Sequence, residues 1–113
     1  MDCIFCRIIA GEIPSDVVYQ DGDFFAFRDV NPQAPVHILL VPKKHIKSIA
    51  DVKPDEVELL GRMLAIVPKV AEKAGVAESG YRLALNYGAD ANLVVPHLHM
   101  HIVGGRKLDD MLG

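Results

Sequence analysis

A chain of 113 residues with 50% hydrophobic and 24% charged content suits a single domain over 1–113 that buries roughly 65% of its unfolded surface without disulfides; disorder is excluded. A net charge of -3, 6% aromatic residues and a lone basic pair, Lys43-Lys44, argue against nucleic-acid binding. No apolar run nears the roughly 20 residues of a membrane span, and Met-Asp-Cys lacks signal-peptide order, so a cytoplasmic, reducing location is expected, with the two cysteines as thiols or metal ligands.

In chain order, residues 3–10 (CIFCRIIA) predict a short helix closed by Gly11 and Pro14. Strands follow at 17–20 and 24–29, separated by the turn signal Asp21-Gly22. Asn31-Pro32 breaks the second run, and the apolar VHILLV (36–41) reads as a central strand stopped by Pro42. Between Pro54 and Gly75 the residues Val57, Leu60, Leu64, Val67, Ala71 and Ala74 form one helical stripe. Glu58 and Arg62 stand at a favourable spacing for an ion pair. Pro68 lacks an N–H and its ring crowds the carbonyl of Leu64, which predicts a kink there. Two further strands are expected at 81–86 and 97–103, the last ended by Gly104-Gly105. The sum is an α+β domain with a mostly antiparallel five-stranded sheet, one long helix and a short N-terminal helix.

The chemistry concentrates in residues 97–103, His-Leu-His-Met-His-Ile-Val. On a strand, alternation puts His97, His99 and His101 on one face and Leu98, Met100 and Ile102 on the other. The plain reading is a polar strand face rich in histidine. The chemical reading is a row of imidazoles, of which at least one has a fixed partner, because three charged rings side by side repel. Imidazole is largely neutral near pH 7 and nucleophilic. It can therefore attack phosphorus while its neighbours donate protons or stabilise charge.

Cys3 and Cys6 form C-x-x-C at the start of the first helix. Three readings stand open: a redox dithiol, half of a zinc site, or two incidental thiols. A thioredoxin-type motif follows a strand and leads a longer helix, which this one does not. Surplus histidines favour zinc, whose closed shell takes two more ligands.

His97–Val103 matches the histidine-triad signature His-φ-His-φ-His-φ-φ, φ being apolar. Ile4-Phe5, IIAGEIP (8–14), AFRDVNPQAPVHILLVPKKHI (26–46), GYRLALN (80–86) and HIVGGR (101–106) also resemble the Hint (histidine triad nucleotide-binding) branch, in collinear order. The resemblance implies a homodimer that cleaves adenosine phosphoramidates or related conjugates of AMP or GMP. It implies His99 as the nucleophile on the α-phosphorus, His101 as a hydrogen-bond partner of the phosphate or leaving group, and His37 as support. Asp29 would accept the ribose hydroxyls, and Asn86 would lie near the phosphate. Ile4, Phe5, Ile8, Ile13 and Val30 would wall the purine, although plain core explains each equally. Members with C-x-x-C hold a structural zinc, for which the matching positions are Cys3, Cys6, His45 and His97. The C-terminal segment 107–113 is a candidate to reach the site across the dimer.

One stretch departs from the family pattern. Where Gly-Gln-Ser/Thr-Val is usual, this chain has Asn92, Leu93, Val94 and Val95. An amide and a hydroxyl that face the phosphate and leaving group become hydrocarbon. Each lost bond is worth roughly 1–3 kcal/mol unless backbone N–H groups compensate. Three rivals follow: a weakly catalytic or non-catalytic purine-nucleotide-binding module, a dinucleoside polyphosphate hydrolase, and a hydrolase whose triad holds an open zinc. The last lacks a carboxylate base within five residues of the triad. Gly104-Gly105-Arg106-Lys107 lacks the spacing of a P-loop.

Overall fold

The computed structural model describes residues 3–110. The chain runs α1 (Ile4–Ile9), β1 (Val17–Gln20), β2 (Phe24–Arg28), β3 (Val36–Pro42), α2 (Val57–Ala65), α3 (Val67–Ala74), β4 (Tyr81–Ala84) and β5 (Met100–Gly104). The strands form one five-stranded sheet in the order β1-β2-β3-β5-β4, antiparallel at every step. This is the α+β architecture read from the sequence.

Local chemistry explains the turns. Asp21 Oδ1 accepts the N–H groups of Asp23 and Phe24, each at 2.8 Å, which closes the β1–β2 hairpin as an Asx turn. Cys3 caps α1, its Sγ accepting the Cys6 N–H at 3.4 Å.

The central strand β3 is buried on both faces. Ile38 and Leu40 join Phe24, Ala26, Met100 and Ile102 in a core beneath α2 and α3. Leu39 and Val41 join Phe25 and Phe27 in a second cluster covered by Phe5 and Ile8 of α1. The long helices thus cover one face, and α1 covers part of the other. The uncovered remainder of that second face carries the histidines.

The long helix bends where Pro68 demands it, the break falling at Ile66 (φ -87°, ψ -7°), between Leu64 and Pro68. Inside a continuous helix Pro68 would leave the Leu64 carbonyl without its donor; after a break at Ile66 it occupies the first turn of α3, where no intrahelical N–H is needed. Gly75 ends α3 in the left-handed region (φ 82°), where the absent Cβ removes the steric penalty. The buried face keeps its helical steps through the bend, by Leu59, Met63, Val67, Val70 and Ala74, one position off the expected stripe in its first half. Met63 meets the core, while Val57 and Leu64 of the expected stripe are 62% and 53% exposed. Arg62 turns to Asp23 of the hairpin.

The last two strands are shorter than expected. β4 ends at Ala84 rather than residue 86, and β5 begins at Met100 rather than His97. The register that pairs Leu40 with Met100 would set Pro42 opposite Leu98, and Pro42 has no N–H to continue the ladder. The Leu98 N–H bonds the Ile46 carbonyl instead, at 2.6 Å.

Candidate active site

The alternation of the histidine row survives the early end of the strand. Leu98, Met100 and Ile102 are buried in the core under α2 and α3. The three histidines project on the α1 side. The Phe5 ring stands edge-on to His97 and His99, at 5.9 and 5.1 Å between centroids, and His99 stands 5.2 Å from His101.

His97 joins the two cysteines and His45. The donor atoms of Cys3, Cys6, His45 and His97 lie within 4.8 Å of one another. Cys3 Sγ and Cys6 Sγ are 3.3 and 3.5 Å from His97 Nδ1, Cys6 Sγ is 3.4 Å from His45 Nδ1, and the two Nδ1 atoms are 3.2 Å apart. A tetrahedron with zinc–sulfur and zinc–nitrogen bonds of ordinary length has S···N edges of roughly 3.6 Å and an N···N edge of roughly 3.4 Å. The donor set fits such an ion. Two further features agree. The His97 Nε2–H donates to the Pro42 carbonyl at 2.9 Å, which leaves the Nδ1 lone pair for the cluster. Burial holds His97 below the usual imidazole range, favouring the neutral, ligating form. Without a cation, burial and the neighbouring Cys3 push the Cys6 thiol up to about 11; a bound metal reverses that by stabilising both thiolates.

His99 is left out of that cluster, and its tautomer is readable. Its Nδ1 lies 2.7 Å from the His97 carbonyl oxygen, and a carbonyl can only accept. Nδ1 therefore carries a hydrogen, and in the neutral ring the lone pair sits on Nε2.

The His37–His101 pair is readable by elimination. The backbone N–H of Gln33 donates to His37 Nδ1 at 2.9 Å, so that nitrogen is bare and a neutral His37 carries its hydrogen on Nε2. His37 Nε2 lies 2.8 Å from His101 Nδ1, which must then accept. His101 consequently holds its hydrogen on Nε2, where it can be offered to a ligand. The two rings are diagonal neighbours across the β3–β5 register, in which His37 faces Val103 and His101 faces Leu39. Burial first, then the neighbouring His99 and His37, pull His101 down to about 4. Burial also lowers His37. Both rings are neutral at pH 7.

Asp29 Oδ2 stands 3.4 Å from His37 Nε2, and its Oδ1 accepts the Asn31 N–H at 2.9 Å. Asp29, His37 and His101 have the spacing of a metal group. However, both nitrogens of His37 are spent on hydrogen bonds, so this trio is better described as a polar network.

A cleft of about 410 Å³ opens beside these groups, lined by His37, His101, Asn86, Arg82, Arg106 and Asp109 among others. Asn86 thus lines the same cleft as His37 and His101. Arg82 was missed; it shares a strand face with Ala84 and Asn86 by alternation, a signal that could have found it. The Gln33 amide and the Pro42 and His97 carbonyls were also missed, and backbone roles leave no mark in residue identity. Arg106, Leu108 and Asp109 line the cleft of their own chain; 111–113 lie outside the described residues. A second cleft of similar size, at Lys43, Lys44, Asp55 and Glu56, holds no histidine, and Lys44 pairs there with Glu56 at 2.7 Å.

The apolar wall divides in two. Phe5 and Ile8 are buried in the cluster under α1, with Ile13 partly buried against it. Ile4 and Val30 are 48% and 90% exposed, free to meet a ligand. In the departing loop, Asn92 has φ 58°, a left-handed conformation that asparagine tolerates where glycine is usual. Leu93 is half-buried, with its N–H on the Gly88 carbonyl at 3.1 Å. Val94 is 84% exposed and offers no side-chain donor.

Comparison with known proteins agrees with this geometry. The HIT domain matches residues 10–108. The purine nucleoside phosphoramidase of Escherichia coli is 49% identical over 111 residues, which is 98% of this chain and 93% of that protein. Protein HitA of Neisseria gonorrhoeae is 45% identical, over 91% of this chain and 95% of its own length. The crystal structure of a HIT family hydrolase from Legionella pneumophila superposes with a TM-score of 0.93 at 46% identity, covering 99% of this chain and 100% of that one. A histidine triad protein from Clostridium difficile also gives a TM-score of 0.93, at 45% identity over 98% and 96% of the two chains. With its three histidines on one face, its sheet order and these matches over nearly the whole length, the chain belongs to the HIT family.

Proposed function

We propose that the chain is a hydrolase of purine nucleoside phosphoramidates, the activity named for its Escherichia coli relative. The observation that carries the reading is the His99 tautomer. With Nδ1–H on the His97 carbonyl at 2.7 Å, the Nε2 lone pair is free to attack an α-phosphorus. The P–N bond breaks as the Nε2–P bond forms, and the leaving nitrogen takes a proton from solvent and departs as the amine. The imidazole gains positive charge in that step, and the carbonyl oxygen on its Nδ1–H stabilises it. His101 offers Nε2–H to the leaving nitrogen or a phosphate oxygen. Water then cleaves the nucleotidyl-histidine and releases the nucleotide. Asp29 Oδ2 accepts the sugar hydroxyls, with Asn86 and the loop at 92–94 on the phosphate side. Ile4, Val30 and Ile13 meet the base, while Phe5 and Ile8 support that wall from the core.

Cys3, Cys6, His45 and His97 hold a structural zinc in this reading, since a soft, tetrahedral sulfur and nitrogen shell suits that ion. Zinc there would neutralise the thiolates and tie α1 to the triad segment; the chemistry stays with His99 and His101. A second copy of the chain is the expected partner, for which the sheet offers two edge strands, β1 and β4; sedimentation at the dimer mass checks it.

The test is His99→Ala with an adenosine phosphoramidate. Turnover should vanish while AMP affinity stays within several-fold, and rapid mixing of the wild type should release a burst of amine. Intact-mass measurement should find the nucleotidyl group on His99. Nucleotide binding with no adduct and no turnover would identify a binding module instead.

A further inference from the structure

We propose that Asp29 is a positioning residue for His101, so that a sugar on Asp29 strengthens the hydrogen-bond donor facing the scissile bond; this rests on the sugar role proposed above. The segment 29–33 is wrapped around His37. The Asp29 N–H donates to the His37 carbonyl and the Gln33 N–H to His37 Nδ1, each at 2.9 Å. His37 therefore has a single ring hydrogen, on Nε2, with two acceptors in reach: His101 Nδ1 at 2.8 Å and Asp29 Oδ2 at 3.4 Å.

One hydrogen cannot serve both acceptors fully. The carboxylate is anionic and draws it away from His101. Asp29 Oδ1 already accepts the Asn31 N–H, whereas Oδ2, the atom that competes for His37, has more acceptor capacity left for an incoming hydroxyl. Hydroxyl donation to Oδ2 spends that lone-pair density and returns the His37 hydrogen to His101. An imidazole that accepts more strongly at Nδ1 becomes a better donor at Nε2, because bonds in a chain polarise one another. Sugar recognition and leaving-group assistance are thus linked through one proton, and a ligand without ribose hydroxyls binds without completing the chain.

Two measurements test this. The first is ¹⁵N NMR of histidine-labelled protein with AMP or 2′,3′-dideoxyadenosine monophosphate at saturation. In free protein both His37 and His101 should be Nε2–H tautomers. AMP should move the His37 Nε2 and His101 Nδ1 resonances, and the dideoxy nucleotide should move them far less. Asp29→Ala should erase the difference; Asp29→Asn, which keeps an acceptor for the Asn31 N–H, serves if the alanine variant does not fold.

The second measurement is kcat at saturation with the matched pair of phosphoramidates. The wild type should lose about threefold to tenfold in kcat with the dideoxy compound, beyond any rise in KM. The Asp29 variants should turn over both at equal kcat. A wild-type difference confined to KM, equal resonances with the two nucleotides, or an Nδ1–H tautomer at His37 overturns the coupling. Absence of turnover with both substrates removes the phosphoramidase reading, and the NMR comparison then decides the coupling alone.

Discussion

Lowering the pH should destabilise the fold through His101, by an amount the structure sets. Burial, His99 and His37 hold this ring at about 4 against an ordinary value of 6.5. The unfolded chain therefore takes up the proton first. The stability contributed by the neutral ring is present above pH 6.5 and is lost as pH falls through 4. Relative to pH 8, the loss is about 2 kcal/mol at pH 5 and about 3 kcal/mol at pH 4. Geometry supplies the reason. A second proton on His101 would have to sit on Nδ1, facing His37 Nε2 at 2.8 Å, while the Gln33 N–H keeps the His37 hydrogen on that same Nε2. The assay is urea unfolding of wild type and His101→Gln between pH 7 and pH 5. Other groups that titrate in this range, the cysteine and histidine cluster included, are common to both proteins and cancel in the difference. Wild type should lose about 2 kcal/mol more than the variant across that interval. Parallel stability curves would refute the argument that the network excludes the proton.

Two further predictions concern the metal shell and the departing loop. Cys6→Ser or His45→Ala should drop zinc, measured by elemental analysis, from one per chain to a small fraction and lower the Tm, with remaining activity tracking the folded fraction rather than metal content. Leu93→Gln with Val94→Ser restores two polar side chains, one at a half-buried residue and one that is 84% exposed. It should raise phosphoramidate kcat by tenfold or more at nearly unchanged stability; unchanged kcat would show that backbone N–H groups already serve the phosphate.

Much of the fold is legible where local rules act alone. Asp21-Gly22, the alternation at 97–103 and Gly75 at the helix end each express a short-range preference, and each holds in the structure. The errors share a cause. The stripe from Val57 to Ala74 ran one position off in its first half: Leu64 fits a three-residue step to Val67 as well as Met63 fits a four-residue one, and only packing put Met63 in the core and Leu64 outside it. The strand at 97–103 assumed a partner along its whole length, and Pro42 supplied none. Among the candidate site residues, Asn92 stands in the departing loop, and its left-handed backbone explains an asparagine there without any ligand.

Residue types and their order are enough to set out a triad, an unattached C-x-x-C and an α+β sheet, because periodicity and donor chemistry are written along the chain. Three decisions required folding in space. Cys3 and Cys6 met His45 and His97 only once α1 crossed the sheet face. The hydrogen of His99 was assigned by a carbonyl two residues away, and that of His101 by an amide reached through His37. Tautomers are set by whatever donor or acceptor stands within 3 Å, and that neighbour belongs to the tertiary structure rather than to the residue.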